Sequence, residues 1–278
     1  MSFSAASSTL VKTVCRCMER IAPLRLAESW DNVGLLLEAP FQRAGNQVML
    51  TIDVTPPVVE EALASKTACI ISYHPTLFRP VKSMTLATPT QASLLRLAAA
   101  GISVYSPHTA LDSVHLGIND WLAMGLIGVM TSDKYEVKPI GDMKDGGAVG
   151  RIVPLGEGVE FSALVEQVKR NLGLTQIQVA YPYSRPSSKV SSVAICAGSG
   201  ASILLGSDAD VYYTGEMSHH EVLAAISAGK YVILCGHTNT ERGFLPTLKG
   251  KLEETELVSE LKMDIVVSKA DRHPVDIV

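Results

Sequence analysis

Short runs of Val, Ile, Leu and Ala alternate along the chain with stretches whose apolar positions recur at helical spacing. The first kind reads as strands covered on both faces and the second as amphipathic helices, so their alternation predicts βα units around largely parallel sheet. The predicted strands are Val48 to Val54, Ala68 to Ser72, Ile102 to Ser106, Val149 to Val153, Ile177 to Ala180, Val193 to Ala197, Val211 to Thr214, Tyr231 to Cys235 and Ile265 to Ser268. Pro56 and Pro57 open one helix, Thr88 with Pro89 another and Ser218 a third: a proline in the first turn gives up no hydrogen bond, and a hydroxyl caps exposed N–H groups. Gly101, Gly173 and Gly229 stand where helices end in the left-handed conformation.

Leu10, Val14, Cys17, Met18 and Ile21 share one face of a first helix. The Ser- and Ala-rich start, followed by Lys12, Arg16 and Arg20, also fits a mitochondrial presequence, but the helix is the preferred reading. The segment from Ser132 to Gly147 has turn residues, mixed charge and no period, and marks a domain junction; a second loop runs from Tyr181 to Ser192 and carries Pro182 and Pro186. Residues 1–131 plus 231–278 are assigned to a first α/β lobe and 147–230 to a second.

One internal likeness organises these elements. Ala98 to Asp112 (AAAGISVYSPHTALD) resembles Ala225 to Glu241 (AISAGKYVILCGHTNTE): helix end, glycine, strand, then His-Thr-x-x-acid. The strands before them end in Ser72 to Pro75 (SYHP) and lead to Tyr213 to His220 (YTGEMSHH). Two similar, interlaced α/β lobes related by an approximate two-fold follow, with equivalent loops that could meet across a cleft; chance likeness of short segments is the alternative.

Composition narrows the function. Apolar residues make up 47% of 278 and mean hydropathy is +0.22, yet the longest apolar runs are strand-sized, so no membrane partner is expected and the excess goes to buried strands or subunit interfaces. A net charge of −4 gives little drive toward phosphate backbones, which disfavours nucleic acid. Five cysteines, odd in number and without a CxxC pair, argue against a secreted disulfide framework and a zinc ribbon. Cytoplasm is the default location, with nucleus and mitochondrion as further compartments.

Five of seven histidines (His74, His108, His219, His220 and His237) directly follow predicted strands or open the next helix, where parallel α/β proteins face their ligands. His108 with Asp112, and His237 with Glu241, lie four residues apart, so imidazole and carboxylate share one helical face. Either pair alone is as readily a helix cap; two in repeated contexts favour metal, and mixed nitrogen and oxygen donors suit zinc, manganese or iron. Glu241 could bridge two ions, which makes metal-assisted hydrolysis the natural reaction class. The Gly- and Ser-rich stretch Cys196 to Ser202 (CAGSGAS) is either an anion cradle or a tight βα turn. His219 and His220, after Glu216, are open between ligand binding, acid–base work and helix capping. His115 and His273 read as surface or structural, and Trp30 as a packing anchor with Asp31 and Asn32 serving a turn.

The motifs SWDNVGLLLE, LTIDVTPPVVEEAL, ISYHPTLFRPVKSMT, VYSPHTALDSVHLGINDWLA, GSGAS, DVYYTGEMSHHEVL and VILCGHTNTERGFL together resemble the NGG-one interacting factor three-like family, known in bacteria as GTP cyclohydrolase I type 2 homologues. The likeness runs in family order from about Val11 to the C-terminus and looks like the short, eukaryotic form. It implies two related α/β lobes with a dinuclear metal site in the cleft between them, holding up to two divalent ions per subunit on His74, Asp112, His237 and Glu241. Glu241 and His108 would carry the chemistry, His108 by orienting a ligand or supporting it from behind. It also implies a ring-shaped homohexamer, a trimer of dimers, and either hydrolysis of a nucleotide or related small molecule or binding of a transcriptional coactivator. Tyr73 stands where many bacterial members have a further histidine, and a phenol ligates poorly at its ordinary pKa.

Overall fold

The computed structural model describes residues 9–41, 43–131, 136–184 and 187–276. In chain order its elements are α1 (Thr9–Ile21), β1 (Gly34–Leu37), β2 (Gln47–Thr51), α2 (Pro56–Ala64), β3 (Thr67–Ser72), α3 (Pro89–Ala99), β4 (Ser103–Ser106), α4 (Thr109–Ser113), α5 (Ile118–Met124), β5 (Lys138–Ile140), β6 (Gly150–Glu160), α6 (Phe161–Leu172), β7 (Gln178–Ala180), β8 (Lys189–Ser199), α7 (Ala201–Leu204), β9 (Val211–Glu216), α8 (His219–Ser227), β10 (Tyr231–Leu234), α9 (Leu245–Glu253), α10 (Glu256–Glu260) and β11 (Asp264–Val267). None of the described helices is long and apolar enough to cross a membrane.

The chain forms two compact α/β units, residues 1–111 with 244–272 and residues 112–243 with 273–278. Each is built on its own sheet. In the first, the order is β1-β4-β3-β2-β11, parallel except for the antiparallel edge β1. Every residue of β3 is buried, which is why that strand reads as an unbroken small and apolar run. Met49, Ile70 and Val104 point to one face and pack with Val58, Val59 and Ala62 of α2 and Leu97 of α3. Their alternates Val48, Leu50, Cys69 and Ile71 are also buried and face the side where α1 and α9 lie against the strands. The predicted apolar face of α1 is the one it buries, although Ile21 at its end is only half-buried.

The second sheet runs β5-β6-β8-β9-β10-β7, with β8, β9 and β10 parallel and the others antiparallel. Its core joins Ala194, Cys196, Tyr212 and Val232 of the sheet to Leu204 of α7 and Ala225 of α8. Beneath it, the buried Arg151 guanidinium grips the Asp120 carboxylate with two hydrogen bonds of 2.9 Å and donates to the carbonyls of Ser113, Val114, Ala148 and Gly150.

All nine expected strands are present, with ends moved by a few residues, and Gly101, Gly173 and Gly229 have positive φ of 77°, 66° and 80° as expected of helix ends. The division of the chain differs from the expected one. Tyr231–Leu234 cannot leave the second unit, because it is hydrogen-bonded between β9 and β7. The first boundary falls between Leu111 and Asp112, inside the first His-Thr-x-x-acid motif, rather than in the polar stretch after residue 131. Residues 132–135 of that stretch, the first eight residues and Pro186 lie outside the described residues.

Within their own sheets the units repeat one plan. Helix, antiparallel edge strand, then three parallel strands joined by helices gives α1-β1-β2-α2-β3-α3-β4 in the first and α6-β7-β8-α7-β9-α8-β10 in the second. The registers agree as well: Ile71 pairs with Tyr105 and Thr214 with Leu234, so His108 and His237 each stand three residues beyond a matched strand pair.

Candidate metal centre

In the first unit the site residues hang from the carboxyl ends of β2, β3 and β4. His74 Nδ1 lies 2.9 Å from Asp53 Oδ1, and His108 Nδ1 lies 2.8 Å from both oxygens of Asp31. Asp31 is closed off from solvent and also accepts from the Thr109 amide and hydroxyl and the Asn32 amide. Burial pushes the Asp31 carboxyl up, but the His108 imidazole and then Thr109 more than offset it and hold it below its ordinary range. His108 sits at φ +32°, left-handed for a residue with a Cβ, and its N–H is held by the Tyr73 carbonyl at 3.2 Å. Such a conformation persists only where its surroundings impose it. The His74 and His108 rings are 5.5 Å apart by centroid, with the buried Tyr73 ring 5.0 Å from the first and 5.4 Å from the second.

In the second unit His237 opens a single 3₁₀ turn, His237–Thr240, after β10. Its Nδ1 meets Glu216 Oε1 at 2.9 Å and its Nε2 lies 3.3 Å from Glu241 Oε1. Glu241 is 1% exposed and Asp112 6%. Both carboxylates act on the buried Cys196: burial first, then these two charges, push that thiol well above its ordinary value. Asn119 steadies the same region, donating to the Val149 carbonyl at 2.6 Å and to the Asp112 carbonyl at 3.4 Å while accepting from the Ala197 amide at 2.8 Å.

Space for the pair comes from Gly198, at φ +62°. A Cβ there would lie 2.7 Å from Glu241 Oε1 and 2.9 Å from His237 Nε2. The loop is therefore a close backbone approach and not an anion cradle. The amides of Ala197, Gly198 and Gly200 are spent on Asn119, Thr240 and Thr214.

The donors fit a divalent cation. Each of His74, His108 and His237 has Nδ1 on a carboxylate, which leaves Nε2 as the nitrogen that could ligate. His237 Nε2 and Glu241 together make a mixed nitrogen and oxygen pair in the second unit, where a buried carboxylate gains from a compensating positive charge. His74 and His108 belong to the first unit; Asp112, His237 and Glu241 belong to the second.

Three orienting carboxylates, Asp31, Asp53 and Glu216, escape the sequence reading of the site. Asp31 reads there as a turn residue and Glu216 only as a neighbour of His219; their spacing to the imidazoles, 77 and 21 residues, carries no local signal. Trp30 is 60% exposed and so is not a packing anchor. His219 and His220 are exposed, and Glu221 reaches back to the Ser218 amide at 2.7 Å, so the helix start is served without them. His115 is a surface residue. His273 is structural: its Nδ1 meets Thr238 Oγ1 at 2.8 Å, and burial, then the Arg242 and His237 charges, push its imidazole below its ordinary value.

Comparison with known proteins adds a family. The model of the Duf34/NIF3 (NGG1p interacting factor 3) family matches residues 9–274. The chain is 45% identical over 279 residues to the NIF3 homolog of Schizosaccharomyces pombe, covering 99% of each. It is 38% identical to NGG1-interacting factor 3 of Saccharomyces cerevisiae, covering all of both chains. Among solved structures, a Bacillus cereus protein related to NIF3 has the same fold at 20% identity, with a TM-score of 0.80 over 98% of this chain and 100% of that one. Reduced HcgD from Methanocaldococcus jannaschii aligns at 25% identity with a TM-score of 0.75, over 93% and 97% of the two chains.

Proposed function

Because the chain belongs to the Duf34/NIF3 (NGG1p interacting factor 3) family, we propose that it is a metal-dependent hydrolase acting on a nucleotide or related small molecule. His74, Asp112, His237 and Glu241 would hold up to two divalent ions, zinc, manganese or iron. The observation that carries this is the repeated pairing of a histidine Nδ1 with a carboxylate: Asp53 behind His74, Asp31 behind His108 and Glu216 behind His237. Bound ions would supply Lewis acidity and water activation.

The chain's own residues do the rest. Glu216 fixes the tautomer of His237, and the Glu241 carboxylate, held where Gly198 leaves room, adds the negative charge that selects a cation. Asp31 stays ionised and stabilises the imidazolium that forms when His108 takes a proton from a reacting group. Tyr73 at the neighbouring position narrows the donor set, since a phenol gives up its proton reluctantly.

Elemental analysis of protein purified without chelator should find divalent metal, and reloaded protein should turn over a member of a nucleotide panel in a way that Glu241→Gln abolishes. Protein that stays metal-free in every preparation would sink the proposal. The ring-shaped homohexamer, located in cytoplasm and also nucleus or mitochondrion, is part of the same reading, and sedimentation checks its mass.

A second reading follows from the Saccharomyces cerevisiae relative, NGG1-interacting factor 3, whose name records a protein partner. Here the chain is a scaffold for a transcriptional coactivator and its metals are structural. A His237→Ala, Glu241→Gln double variant that keeps its mass and still recovers the partner would favour it over catalysis.

A further inference from the structure

We infer that Trp30 and Phe78 form an aromatic recognition corner in the first unit, one that takes a planar heteroaromatic ring of about purine size and presents it to His108. The inference rests on the hydrolase reading above and names the part of the substrate that reading leaves open.

Three rings meet there at steep angles. Trp30 and Phe78 have centroids 5.9 Å apart with planes at 62°, Trp30 and His108 6.0 Å at 77°, and Phe78 and His108 6.2 Å at 76°. They stand like three faces of a corner. A flat ring laid on any one of them meets the other two edge-on, the arrangement aromatic quadrupoles favour.

Two of the faces are exposed although their side chains are strongly apolar: Trp30 is 60% and Phe78 53% exposed. Nothing about folding asks for this, because the same segment sends its polar member inward, Asp31 onto His108 and Thr109. The corner is also braced. Asn32 Nδ2 donates to the Leu77 carbonyl at 2.5 Å, tying the residue after Asp31 to the residue before Phe78 across 45 positions of sequence. The third face is the imidazole held at φ +32° by the Tyr73 carbonyl and Asp31, the group to which the hydrolase reading gives proton transfer. An apolar surface continuous with an oriented imidazole suits a ring carried by the substrate better than a protein surface, which would place the histidine under a dry interface.

The chain has two tryptophans, so Trp121→Phe leaves Trp30 as the sole indole reporter. In that background, adenosine and guanosine monophosphates should quench the emission saturably, while ribose 5-phosphate, with the same anion and no ring, should not. Phe78→Ala should weaken the quenching by about tenfold or more, the usual worth of one stacked face, with metal content and sedimentation unchanged. Absence of saturable quenching by either nucleotide at millimolar concentration would overturn the inference, as would Trp30→Ala or Phe78→Ala altering subunit assembly without altering nucleotide binding. Metal content read in the same samples separates the two ideas. Metal present with no quenching removes the corner and leaves the hydrolase; quenching in metal-free protein keeps the corner and removes the hydrolase.

Discussion

At the end of β4 His108 leans on Asp31, a carboxylate shut away from water that also accepts from Thr109 and Asn32. At the end of β10 His237 occupies the same place in the register, but its Glu216 partner is more than half exposed and its other nitrogen faces Glu241. Position for position Glu216 matches Tyr73, each two residues beyond the paired strand residue. Asp53 stands three residues beyond the paired Leu50 of β2, whereas three beyond the paired Cys196 of β8 stands Ser199, next to Gly198. One repeated frame thus yields two unlike sites. Both copies set a carboxylate behind an imidazole, but only the second clears space for that imidazole to lie beside a buried carboxylate.

The frame itself should break most easily at the buried Asp120–Arg151 pair of the second unit. Asp120→Ala strands the Arg151 guanidinium in the interior, and removing one partner of such a pair costs about 3–5 kcal/mol. Denaturant unfolding should report a loss of that size. Hydrogen exchange should show β6 and β8 losing protection before β2 and β3, since Arg151 binds only residues of the second unit. Equal loss in both sheets would mean that the two units unfold as one.

The next test separates the copies at their orienting carboxylates. Glu216→Gln should weaken metal binding by about 10–100-fold, the usual effect of removing the group behind a ligating histidine. Asp31→Asn should leave metal affinity within about twofold while lowering turnover, because His108 acts on substrate and is not a ligand in the proposed set. Metal titration of both variants decides it. Equal losses would make the copies alike and His108 a ligand.

The legibility of the molecule follows the same division. Strands covered on both faces write themselves as apolar runs, so β2, β3, β8 and β9 are plain in the sequence. Edge strands β1 (GLLL) and β5 (KPI) have no alternation to betray them, so the hydropathy pattern does not predict them. Nor does hydropathy show that β6 runs antiparallel to β8, because register and direction are tertiary facts. Among site residues, the His-x-x-x-acid spacing pointed to His237 and Glu241 because four residues span one turn. Asp31 sits 77 residues from the imidazole it orients, and only a folded chain joins them. Composition predicts a boundary in a polar, aperiodic stretch, whereas the chain changes unit between Leu111 and Asp112, in a buried helix with no compositional shift.

A smaller effect concerns pH. Asp31 titrates below its ordinary value of 3.8 in the folded protein, so the unfolded chain binds more protons as pH falls through that window. Its contribution is complete above pH 3.8 and fades as pH drops toward the folded value. Asp31→Asn should therefore give a shallower loss of stability with acid over that range, measured as denaturation midpoint against pH. A parallel acid dependence in wild type and variant would show that the His108 and Thr109 contacts do not hold the carboxylate as described.

The smallest effect expected is at His219 and His220, which follow β9 as His74 follows β3. The turn after β3 is tight: the His74 amide is bound by the Ile52 carbonyl at 3.0 Å, and its imidazole is drawn onto Asp53. After β9 the chain enters α8 instead, and the two imidazoles lie on its exposed first turn, edge to face at 5.3 Å. Glu221, and neither imidazole, serves the Ser218 amide. Replacing both with alanine should change stability by less than about 0.5 kcal/mol, as surface changes usually do, and leave metal content untouched. Glu221→Ala should cost about 0.3–1 kcal/mol through the lost charge at the helix start. If the double alanine variant instead lost metal, the first-turn histidines would be ligands, and the second copy would carry a counterpart of His74 after all.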